Sequence, residues 1–159
     1  VTRINPDPAG TAESNLLYSS YLGGADFENV FGTGDLVVIA AGEVYLSGDT
    51  RSPTTFPTTP NAYATALTGT HSDAFLVRLR MNGNAETGLL YGTYVGGRDV
   101  DAANGLVCDG DHVFTVVGET WQNAGVYGDF PTTPDALYPD HSGGGQYNYD
   151  GFLFQMESR

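Results

Sequence analysis

Leu16-Leu-Tyr-Ser-Ser-Tyr-Leu-Gly-Gly24 returns later in the chain as Leu89-Leu-Tyr-Gly-Thr-Tyr-Val-Gly-Gly97. Three more blocks recur in the same order. Val44-Tyr-Leu-Ser-Gly-Asp-Thr50 matches Phe114-Thr-Val-Val-Gly-Glu-Thr120, and Phe56-Pro-Thr-Thr-Pro-Asn-Ala62 matches Phe130-Pro-Thr-Thr-Pro-Asp-Ala136. Asp73-Ala-Phe-Leu-Val-Arg-Leu79 matches Asp150-Gly-Phe-Leu-Phe-Gln-Met156. Four blocks repeated in order define a tandem of two units, and a repeat decides architecture ahead of any single residue.

The blocks themselves read as strands. Residues 16–22 are rich in Leu and Tyr and stop at Gly23-Gly24. Residues 35–40 are almost continuously apolar, and Ala41-Gly42 turns the chain into 43–47. Residues 73–79 follow a long connection with Pro53, Pro57 and Pro60, onto which Phe56 and Tyr63 are expected to pack. Asn82-Gly83-Asn84 turns into the second unit, with strands expected at 89–95, 105–108, 113–117 and 151–156 and a hairpin turn at Asp109-Gly110. An all-β fold of antiparallel strands follows. Residues 1–14, punctuated by Pro6, Pro8 and Gly10, are expected as an arm or linker, residues 15–88 as the first repeat and 89–159 as the second.

These motifs resemble the SBBP-type β-propeller repeat of bacteria and archaea over residues 15 to 157. The resemblance implies propeller-like blades of four antiparallel strands on secreted or cell-surface proteins. It implies no single activity and carries no catalytic residues. Two blades are fewer than the roughly four to eight of a closed ring, so the chain is expected to be part of a larger ring or assembly. In propellers of this type the opening strand of a unit is the outer strand of another blade. Strands 35–40, 43–47, 73–79 and 89–95 then form one complete blade, while 105–108, 113–117 and 151–156 lack an outer strand.

Residues 16–22 are the missing piece at the wrong end of the chain. An open strand edge invites another strand, because its N–H and C=O groups need partners. The expected assembly strands are Leu16, Leu17, Tyr18, Tyr21 and Leu22, pairing with Phe152, Leu153 and Phe154 of a second copy. Head-to-tail donation of this kind closes into a ring or grows as an extracellular filament. The alternative expectation is a fragment of a larger adhesion protein.

Composition narrows the partners. The formal net charge is −13, and all six basic residues are arginines. Nucleic acid is excluded as a partner for want of a basic footprint, and no run reaches the roughly 18 apolar residues of a membrane span. One cysteine, Cys108, precludes an internal disulfide and sits in an apolar run as an expected buried thiol. The chain opens on Val1 without a signal-peptide pattern, so a processed chain or an excerpt is expected.

Candidate chemistry is sparse. The acidic residues Asp26 and Glu28, and Asp99 and Asp101, follow the two Gly-Gly turns at matching places. Clustered oxygens suit Ca²⁺, although acidic residues near turns also serve conformation alone. No cofactor is required. The three histidines, His71, His112 and His141, show no metal spacing, and no nucleophile elbow, P-loop or dinucleotide fingerprint is present, so a non-enzymatic protein is expected. The connection from 121 to 149 is longer than its counterpart and gains Trp121, Tyr127, Tyr147 and Tyr149. Those rings either pack the loop or form a binding surface for a glycan or a surface protein.

Overall fold

The computed structural model describes residues 1–6, 9–40, 42–81, 85–109, 112–122, 130–142 and 148–158. Its elements are β1 (Thr2–Ile4), α1 (Ala12–Asn15), β2 (Leu16–Ser19), β3 (Asp35–Ala40), β4 (Glu43–Thr50) and β5 (Asp73–Arg80). They continue as α2 (Ala85–Gly88), β6 (Leu89–Val95), β7 (Val100–Cys108), β8 (Val113–Gln122) and β9 (Asn148–Glu157). Both helices are four residues long, and the fold is all-β. None of the helices described is long and apolar enough to cross a membrane.

Among the described residues every pairing between these strands is antiparallel, in three open sheets: the first of order β3-β4-β5-β6, the second β1-β2 and the third β7-β8-β9. The expected strands are present and mostly longer. β7 begins at Val100 rather than 105, so Asp101 lies in a strand and not in a loop. β8 runs on through Gln122 and β9 begins at Asn148. Trp121 and Tyr149, expected in a connection, therefore face each other across two strands. The opening strand is shorter than expected, ending at Ser19.

The amino-terminal segment is not simply an arm. Thr2–Ile4 pairs with β2, and the Val1 carbonyl accepts from the Ser20 N–H at 3.0 Å. Thr11 caps α1 by accepting the Ser14 N–H through Oγ1, satisfying one orphan donor of the first turn.

Two apolar clusters hold the sheets. Tyr45, Leu76, Tyr91 and Val95 of the four-stranded sheet pack against Leu106, Phe114, Val116 and Phe152 of the three-stranded one. On the opposite face of the four-stranded sheet, Val44, Phe56, Phe75, Val77 and Tyr94 gather Val1 and Leu22 from the amino-terminal segment. Phe56 is buried as expected, whereas Tyr63 is exposed and does not pin its loop. Cys108 is only partly buried against the core.

A glycine lies beneath a phenylalanine in both units. Gly48 pairs with Phe75 and Gly118 with Phe152, and each ring covers the hydrogen where a Cβ would stand. That close approach explains the Gly within each Ser-Gly or Val-Gly block.

Polar bonds also cross between the sheets. The Tyr45 hydroxyl lies 2.6 Å from Ser158 Oγ, and Arg78 Nη1 donates to the Ser158 carbonyl at 3.3 Å. Arg78 also pairs with Glu43, whose carboxyl is held below its usual range by hydrogen bonds from Arg78 and Arg80.

Candidate functional site

The third sheet is one strand short of the first. β5 is flanked by β4 and β6, whereas among the described residues its counterpart β9 has β8 on one side and ends the sheet. The two sheets stack in a head-to-tail sense. One side of the first sheet, with Tyr45 and Leu76, is covered by the third sheet's Phe114 and Phe152 side. The matching side of the third sheet has no cover among the described residues. Leu153, the counterpart of the fully enclosed Leu76, is 68% exposed. Val107 and Val117 are exposed beside it, and Val117 is the cross-strand partner of Leu153.

The strand expected to fill this vacancy is elsewhere. Leu16–Ser19 pairs with β1 and not with β9 of its own chain. Leu16 and Leu17 are exposed and Tyr21 fully so, whereas Leu22 packs on the first sheet. Leu22 thus occupies the place against the first repeat that Val95 occupies against the second. Of the expected β9 contacts, Phe152 is buried in the inter-sheet core and Phe154 packs on it, so only Leu153 is presented outward.

The β1–β2 pair reproduces the β5–β6 pair. Arg3 opposes Tyr18 as Arg78 opposes Tyr91, Ile4 opposes Leu16 as Leu79 opposes Leu89, and the register slips between the same two positions. A short helix precedes β2 just as α2 precedes β6. Val1-Thr-Arg-Ile4 therefore stands for Leu76-Val-Arg-Leu79, a likeness of four residues that strand patterning alone passed over.

Of the four predicted acidic residues, Glu28 and Asp101 anchor the two Gly-Gly turns. Glu28 Oε1 accepts from the Gly24 N–H at 2.9 Å, Ser52 Oγ at 2.6 Å and Thr50 Oγ1 at 3.3 Å. Asp101 Oδ2 accepts from the Gly97 N–H at 2.7 Å, closing the matching Gly-Gly turn in the second unit. Asp26 Oδ1 accepts the neighbouring Phe27 N–H. Among the described residues no group of three or more His, Cys, Asp and Glu side chains is placed to hold a metal ion. Glu28 and Asp101 thus each give one carboxylate oxygen to the backbone of a Gly-Gly turn, a conformational role that acidic residues take near turns.

A cleft of about 200 Å³ opens between the repeats, lined in part by His71, Arg98, Asp99, Asp101, Thr120 and Trp121. His71 Nδ1 lies 3.1 Å from Asp99 Oδ1, and the Trp121 ring stands edge-on to His71 with centroids 6.4 Å apart. Tyr149 lies 6.4 Å from Trp121, so two of the predicted aromatic residues are brought together. Tyr127 and Tyr147 lie outside the described residues. The Trp121 indole N–H is enclosed without a hydrogen-bond acceptor.

Behind the cleft Asp73 is wholly buried and accepts the Thr68 N–H through Oδ2 at 3.0 Å. Burial, with a further contribution from the Asp101 charge, pushes its pKa up to about 7. Sequence reading took Asp73 only as the start of a strand, since one aspartate in an apolar run carries no signal of a buried neighbour.

Comparison of the chain with models of known protein families, with curated proteins and with solved structures returned no match.

Proposed function

We propose that this protein is a non-enzymatic, secreted or cell-surface scaffold of β-propeller blades that assembles with copies of itself by strand exchange. One observation carries the reading: among the described residues β9 ends its sheet where its counterpart β5 is completed by β6. In the first unit that completing strand is Leu89–Val95, the opening strand of the next repeat. The same segment of a second copy is Leu16–Leu22, the only other occurrence of the motif. In exchange, β2 leaves the three-residue β1 for the ten-residue β9, gaining ladder hydrogen bonds and covering an open edge. The SBBP resemblance of the repeats supports blades as the units and the cell exterior as the location.

The β5–β6 register, transferred to β9 and β2, sets Leu153 opposite Ser20, because Leu76 opposes Thr93. A Ser20→Cys/Leu153→Cys variant on a Cys108→Ser background should form disulfide-linked multimers on mild oxidation. Ser20→Cys combined with Gln155→Cys, which is out of register, should not. A chain of constant monomer mass that never cross-links would sink the reading.

A second reading is favoured by the likeness of β1 to β5. In it, β1–β2 is the outer half of a preceding blade, and β9 is completed by a further repeat of a larger adhesion protein. Such a chain stays monomeric when isolated, so the same cross-linking separates the two.

A further inference from the structure

In the first sheet the completing strand is held by more than its ladder. Tyr94 of β6 is fully buried, with its ring 5.7 Å from Phe56, and Phe56 lies 4.6 Å from Phe75. Its hydroxyl donates to the Ser52 carbonyl at 2.8 Å and accepts the Phe56 N–H at 3.2 Å. The Pro-rich loop then clasps the strand's outer edge. The Thr59 N–H donates to the Gly92 carbonyl, and the Tyr94 N–H donates to the Ala64 carbonyl, both at 3.1 Å.

The third sheet has the receiving half of this arrangement. Phe130 and Phe152, the counterparts of Phe56 and Phe75, stack at 4.2 Å. The loop that follows Phe130 repeats Pro-Thr-Thr-Pro, yet among the described residues it has no fourth strand to clasp, and Leu137 and Tyr138 stand exposed in it. No tyrosine takes the place of Tyr94 there among the described residues. The residue that matches Tyr94 in the first occurrence of the motif is Tyr21, which is fully exposed.

We infer that Tyr21 of a second copy is the third ring of the Phe130–Phe152 pair and is clasped by the 130–138 loop. The inference rests on the strand-exchange reading and specifies its contact. The transferred register sets Tyr21 opposite Phe152, since Tyr94 opposes Phe75. The Tyr21 N–H then meets the Tyr138 carbonyl, as Tyr94 meets Ala64. A buried aromatic anchor seated in a ready-made pocket is the usual energetic centre of an interface. Because the Tyr21 side chain is fully exposed in the free chain, its removal does not disturb the monomer.

The test uses the full chain carrying the Ser20→Cys/Leu153→Cys pair. Tyrosine nitration is mapped by mass spectrometry before and after cross-linking. Tyr21 is expected to react at least about tenfold more slowly in the linked species, and Tyr21→Ala to weaken association by about tenfold or more. If the multimers form while Tyr21 stays as reactive as in the monomer, the anchor is overturned and strand exchange stands. If no multimer forms in any variant, strand exchange and the anchor fall together.

Discussion

The carboxylates of Asp73 and Asp101 converge on Gly96. A Cβ at that glycine would stand 2.7 Å from Asp73 Oδ1 and 2.8 Å from Asp101 Oδ2. Burial, and then the Asp101 charge, disfavour ionisation of Asp73 in this poorly solvated interior.

Asp73 ordinarily titrates near 3.8 but does so at about 7 in the fold. Between those values the folded chain holds a proton that the unfolded chain has released, so stability falls as pH rises from about 4 to about 7. Asp49, also raised by burial, acts in the same direction. The melting temperature should therefore be lower at pH 8 than at pH 5, and Asp73→Asn should flatten the difference. A wild-type melting temperature that rises across this interval would contradict the assignment.

Gly118→Ala should cost more than Gly48→Ala. The new methyl at 118 meets the Ala102 carbonyl as well as the Phe152 ring, whereas at 48 it meets Asn29 Oδ1 and the Phe75 ring, both side-chain groups able to yield. Overpacking of this kind costs about 1–3 kcal/mol, readable as a lower denaturation midpoint in urea. Equal midpoints for the two variants would show that the Ala102 backbone yields as easily as a side chain.

Leu153→Asp should abolish self-association while leaving the melting temperature of the dilute protein nearly unchanged. The side chain is two-thirds exposed in the single chain but matches Leu76, which is enclosed. Light scattering over a range of concentrations reads the first effect and thermal denaturation the second.

Millimolar Ca²⁺ should leave the melting temperature unmoved. Glu28 Oε1 and Asp101 Oδ2 already accept protein donors, and the two acidic turns belong to different units. A stabilisation removed by chelator would assign Asp26, Glu28, Asp99 and Asp101 to metal binding after all.

Trp121→Ala probes the cleft between the repeats. A glycan ligand there would stack on the Trp121–Tyr149 pair and use the His71–Asp99 pair for its hydroxyls. On a glycan array the wild type then shows signal that Trp121→Ala loses; equal signal from both removes the cleft from consideration.

The four repeated blocks determined the tandem of two units and the all-β character, and the resemblance of those blocks to propeller repeats implied the strand order seen in the first sheet. Strand period and turn residues are local properties, and a motif that occurs twice reports its own alignment. What tertiary structure alone decided was the fate of the ends and of the buried charges. Val1–Ile4 is too short to announce a strand, and its pairing with β2 depends on a neighbour more than ten residues away. Trp121 and Tyr149 read as loop because a long connection separates them, yet β8 and β9 bring them face to face. Asp73 and Asp101 stand far apart in sequence and meet where Ser72 bridges Val100, with the Asp101 N–H donating to the Ser72 carbonyl at 2.8 Å. Desolvation is a property of the packed interior, so no pattern of residues along the chain could disclose it.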